Sequence, residues 1–124
     1  MFGLFGKRPE QSTTEADDDV DPEDLSRATF IQQKCQVGAL FASRLSDPAE
    51  DHADQLARYQ RVRAEMIATL DLIEDEFCRG FAAHQIIKMC MVGGEEVVAR
   101  ALLTSVRDKF IREKIFEDVP ELAT

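Results

Sequence analysis

Phe81-Ala82-Ala83-His84-Gln85-Ile86-Ile87-Lys88-Met89-Cys90-Met91-Val92 contains only three strongly polar side chains. On a helix His84, Gln85 and Lys88 fall on one narrow stripe, which leaves nearly the whole circumference apolar. Such a helix has to be wrapped by other helices or by a second chain, because each Å² of apolar surface left in water costs about 25 cal/mol. The segment is therefore the hub of the fold or of an assembly. Phe81, Ile86, Ile87, Met89 and Met91 are its candidate interface residues, joined by Met66, Leu70, Ile73 and Phe77 from the preceding stretch.

Outward from the hub, helix signals dominate. Asp21-Pro22-Glu23-Asp24 and Asp47-Pro48-Ala49-Glu50 each offer an N-cap Asp, a proline at the first helical position and an acid in the first turn. They predict one helix over 22–45 and a second starting at Pro48. The second meets no breaker before Gly80, and Leu56, Tyr59, Val62, Met66, Leu70, Ile73 and Phe77 recur along it at spacings of three and four. Asp54–Arg58, Arg61–Glu65 and Asp75–Arg79 are candidate i,i+4 ion pairs on its solvent face. A 48–79 helix would be about 48 Å long. A third helix, 81–92, stops at Gly93-Gly94, and a fourth, 95–116, opens on two acids and is closed by Pro120. Sustained apolar/polar alternation, hairpin turns and a repeat of solenoid length are not apparent. The expectation is an all-α bundle of three to four helices over residues 21–124. Its lopsided long helix favours a homodimer.

Charge is concentrated at one end. Residues 9–24 carry eight acids and no Lys or Arg, which accounts for −8 of a net charge of −9. So polar a stretch buries too little surface to offset the entropy of ordering it, so residues 1–20 read as a flexible acidic tail. At its tip Phe2, Leu4 and Phe5 stand beside Lys7 and Arg8, a short docking peptide or weak peripheral membrane contact within residues 1–8. No run is long and apolar enough for a transmembrane helix, and the N-terminus lacks the apolar core of a secretory signal. A cytoplasmic protein with reduced core thiols Cys35, Cys78 and Cys90 is expected.

Catalytic chemistry finds little support. Residues three before His52 and His84 are Ala49 and Phe81, so the Glu-x-x-His pairs of a di-iron bundle are missing. Cys78, His84 and Cys90 are six apart, about 600° of helix per step, and so diverge on one continuous helix. Asp71, Glu74, Asp75 and Glu76 read as a solvated acidic face. No oriented Cys–His pair with an oxyanion donor and no phosphate loop can be identified. No enzyme activity, metal or cofactor is expected.

Two functional readings remain. The first is a non-enzymatic protein–protein interaction module, as adaptor, chaperone or regulatory subunit, acting through helix packing. The alternative is a helix-turn-helix-like DNA reader over residues 86–114, with Arg100, Arg107 and Lys114 forming a basic stripe along the fourth helix. Glu95 and Glu96 at the start of that helix, and the net charge, disfavour nucleic acid.

Overall fold

The computed structural model describes residues 20–46 and 51–123, and among these the fold is all-helical, without strands. The five helices are α1 (Pro22–Ser43), α2 (His52–Leu70), α3 (Glu76–Val92), α4 (Glu96–Leu103) and α5 (Lys109–Asp118). A 3₁₀ turn at Arg44–Ser46 follows α1, and another at Pro120–Ala123 follows α5. Residues 1–19, with the tip Phe2, Leu4 and Phe5, and the Asp47-Pro48 pair lie outside the described residues.

The hub forms as the sequence implies. α3 packs against α1, α2, α4 and α5, and Ala82, Ala83, Ile86, Ile87, Met89 and Cys90 are buried. α1 starts where expected: Asp21 is extended at the N-cap and its carboxylate accepts from the Glu23 N–H at 2.9 Å. α1 then packs against both α2 and α3 through Ala28, Ile31, Cys35, Gly38 and Ala42. Gly38 is required by a close approach, since a Cβ there would run into Met89 Sδ and come within 2.9 Å of Val62 Cγ1. Cys35, Cys78 and Cys90 are all free and buried.

Three boundaries are corrected. α2 is capped by Asp51, whose carboxylate accepts from the Asp54 N–H at 3.3 Å, and it starts at His52 rather than Pro48. The 48–79 helix is two helices, broken at residues 71–75, while α3 runs without interruption through Gly80, whose Cβ position faces Ile111 at 3.4 Å. The 95–116 helix is likewise two, α4 and α5, parted at residues 104–108. Neither break contains Gly or Pro.

Side-chain caps make both breaks, and they make them the same way. At the first, Asp75 accepts from the Cys78 N–H at 2.8 Å, and Arg79 donates to the carbonyls of Leu70 (2.9 Å) and Ile73 (3.4 Å). At the second, Asp108 accepts from the Ile111 N–H at 3.0 Å, and Arg112 donates to the carbonyls of Leu103 (3.0 Å) and Val106 (3.2 Å). The incoming helix's orphan carbonyls and the outgoing helix's orphan N–H groups are thereby satisfied, which offsets the lost helical bonds. Leu70, Ile73 and Cys78 are buried in the first corner, and Leu103, Val106 and Ile111 in the second. The pattern Leu-x-x-(Ile/Val)-x-Asp-x-Phe-x-(Arg) thus occurs at 70–79 and again at 103–112. The chain does contain an internal repeat.

The corners differ in one brace. Asp24, on the first turn of α1 and only 3% exposed, accepts the Glu74 N–H at 3.2 Å and the Asp75 N–H at 3.0 Å, while Arg27 pairs with its other oxygen at 3.3 Å. This pins the start of α1 to the first corner.

Candidate functional site

The expected interface residues are mostly internal. Met66, Leu70, Ile73, Ile86, Ile87 and Met89 lie in the chain's own core, and Phe81 and Met91 are half-buried against it. Only Phe77 is exposed. The hub is covered by the four other helices, and the long helix that favoured a second subunit does not exist as one element.

The basic stripe is also dismantled. Arg100 is on α4, where it pairs with Glu96 at 2.7 Å and donates to the Glu121 carbonyl. Arg107 sits in the turn before α5, and Lys114 on α5 pairs with Glu117 at 3.6 Å and lies over the Phe110 ring. The three share no helix face. α4 spans only eight residues, so the long candidate recognition helix is lost.

Of the sequence's ion pairs, Asp54–Arg58 forms at 3.0 Å. Arg79 instead reaches Asp71 at 3.6 Å and the two corner carbonyls, which leaves Asp75 to cap α3. Arg61 and Glu65 line a cleft between α1 and α2 with Lys34, Phe41, Asp54 and Arg58.

Two polar clusters lie beside the hub. The Tyr59 hydroxyl donates to Glu95 at 2.6 Å, and Arg63 holds the other Glu95 oxygen. Burial pushes the Glu95 carboxyl up, but the hydrogen bonds from Arg63 and Tyr59 outweigh it and hold the group below the ordinary carboxylate range. Burial and then the Glu95 hydrogen bond hold the Tyr59 hydroxyl far above the ordinary phenol range. The cluster fixes the Gly93-Gly94-Glu95 turn. Gly94 there has a φ of 75°, and Gly93 leaves room for the Tyr59 ring. Glu95 thus ties the turn to α2 through Tyr59 and Arg63.

In the second cluster His84 is 8% exposed, and its Nε2 lies 2.8 Å from an Asp118 oxygen. Burial lowers its pKa, Lys88 lowers it further, and Asp118 opposes both. The pair ties the end of α5 to the hub. Burial raises the Cys35 thiol to about 12 and the Cys78 thiol to about 11, and raises Cys90 as well. At neutral pH all three are protonated, whereas a nucleophilic or metal-binding cysteine is a thiolate. Cys78 lies by Asp75, His84 by Asp118 and Cys90 by Tyr59, so the three do not converge.

A groove with a regular lining lies between α1 and α3, with a volume of about 210 Å³. α1 contributes Gln32, Cys35, Gln36 and Ala39, and α3 contributes Gln85, Lys88, Met89 and Val92. Each wall supplies positions i, i+3, i+4 and i+7, two turns of one helix face. The floor is apolar, the rims carry glutamines, and Lys88 is the one charged lining residue. In the sequence His84, Gln85 and Lys88 stand out only as a polar stripe. The glutamines at 32, 36 and 85 carry no distinctive signal in the sequence, because α1 also exposes Thr29, Gln33, Val37 and Leu40 elsewhere.

Among the described residues no helix is long and apolar enough to cross a membrane. Compared with known proteins, the chain matches no family model, no curated protein and no solved structure.

Proposed function

We propose that the protein is a non-enzymatic interaction module that receives a helix of another protein in the α1–α3 groove. The observation that carries this reading is the matched i, i+3, i+4, i+7 lining of both walls, the set of positions that a third helix contacts when its ridge enters a two-helix groove. The fitting partner is an amphipathic helix with an apolar stripe at the same spacing and an Asp or Glu placed to meet Lys88. Half-exposed Val92 and half-buried Ala39 supply apolar surface, and the glutamines supply adaptable hydrogen bonds at the rim. Adaptor, chaperone and regulatory-subunit roles all use this contact. The inert thiols and the structural use of Tyr59, Glu95 and His84 support a binding role over a catalytic one.

The test places a photo-crosslinking amino acid at Gln36, at Gln85 and, as a control, at exposed Glu117, in cells that make the protein. Adducts to one defined partner are expected from Gln36 and Gln85 and not from Glu117, and they should vanish when Val92→Glu blocks the groove. Adducts that ignore the position of the label, or that survive Val92→Glu, overturn the reading.

A further inference from the structure

The internal repeat acts as a two-member comparison within one chain. At five shared positions the side chain has an internal job in both corners: Leu70 and Leu103, Ile73 and Val106 fill the core, Asp75 and Asp108 cap, and Arg79 and Arg112 hold carbonyls, as does burial for Cys78 and Ile111. Phe77 and Phe110 are the exception. Each is the second residue of its helix, and they are 53% and 59% exposed. A large apolar side chain kept twice at one place in a motif, and buried in neither, points to a contact outside the chain.

Around these phenylalanines the charges are inverted. Glu74 and Glu76 of the first corner correspond to Arg107 and Lys109 of the second. None of these four makes an ion pair among the described residues. Yet the corners stand side by side: Glu74, Glu76 and Arg79 line one cleft of about 150 Å³ with Ser105 and Arg107. The first corner thus presents two exposed acids and the second two exposed bases, each pair next in sequence to an exposed phenylalanine.

We infer that this paired-corner face binds a second copy of the chain, the acidic corner of each copy meeting the basic corner of the other about a two-fold axis. A two-fold axis running between the two corners makes both complementary contacts at once and closes the assembly at a dimer, whereas a two-fold axis along the line joining them sets acid on acid and base on base. Phe77 and Phe110 supply the apolar contact, and the charges select the orientation. The contact uses the N-terminal end of α3, while the helix-receiving groove uses its C-terminal turns, so the inference stands apart from the proposed function.

The experiment is light scattering on the full chain. The wild type should approach twice 14.0 kDa at ~0.1 mM and lose part of that association in high salt. Glu74→Lys with Glu76→Lys makes both corners basic, and Arg107→Glu with Lys109→Glu makes both acidic. Each variant alone should associate at least about tenfold more weakly, and an equimolar mixture should form a one-to-one heterodimer. All four positions are exposed, and circular dichroism checks that each variant is folded. A wild type that stays at 14.0 kDa at ~0.1 mM overturns the inference, as does a wild-type dimer that both charge variants preserve or a mixture that associates no better than its components.

Discussion

The corner at 70–79 and the corner at 103–112 share cap, carbonyl clamp and buried residues, but among the described residues only the first is braced by a distant side chain, Asp24. The second reaches the same geometry without that brace. Corner formation is therefore a local property of the ten-residue pattern, and Asp24 decides where α1 sits rather than whether the chain turns. α5 has its own tether, but at the far end of the helix, where His84 meets Asp118.

The largest effect should come from the buried aliphatic of each corner. Ile73→Ala should cost about 2 to 5 kcal/mol, and Val106→Ala, which removes one carbon fewer, about 1 kcal/mol less. Chemical denaturation measures both. A Val106 cost above that of Ile73 would break the equivalence of the two corners.

Removing the brace comes next. Asp24→Ala leaves two backbone N–H groups without their acceptor and should cost about 1 to 3 kcal/mol. Amide NMR shifts should move at Glu74 and Asp75 and stay in place at Arg107 and Asp108. Equal movement at both corners would show that the brace serves the whole fold.

Asp75→Ala and Asp108→Ala should each cost about 0.5 to 2 kcal/mol, and by similar amounts, because each removes one cap of the same geometry. A marked inequality in melting midpoints would sharpen the comparison by showing that Asp24 shares the load in the first corner.

The α5 tether gives a pH dependence. His84 has its folded pKa lowered, chiefly by burial, so the folded state binds its proton less readily than the unfolded chain does. Its contribution to stability is present above the unfolded value of about 6.5 and is lost as pH falls below it. His84→Gln should flatten this part of the stability profile, and an unchanged slope between pH 7 and 5 would remove His84 as its source. The smallest effects belong to Phe77→Ser and Phe110→Ser, each within about 0.5 kcal/mol, since both rings are exposed. Their consequence should appear in chain association instead.

The all-helical class, the hub at Phe81–Val92, the Asp21 cap and the buried thiols were legible because each rests on local periodicity or a local capping pattern. The corners were not, since neither contains the glycine or proline that usually marks a break; Gly80, which does look like one, is instead a packing site against Ile111. Asp75 and Asp108 stand out as caps only in the match between 70–79 and 103–112. Asp24 was read only as a first-turn acid, and nothing local reveals that its carboxylate reaches residues 74 and 75. The α1–α3 groove depends on which helices become neighbours, and spacing along one helix does not state that.

The spans of these contacts also order the assembly of the chain. Each carbonyl clamp joins residues nine apart, whereas the Asp24 brace joins residues 50 and 51 apart. The chain entropy lost on closing a loop grows with its length, so the two short clamps close readily and the long brace closes only after α2 and α3 have met. The turns are then the early nuclei, and the Asp24 brace, which pins the first turn of α1, closes late. A refolding chain would therefore turn both corners before the start of α1 is fixed against the first of them.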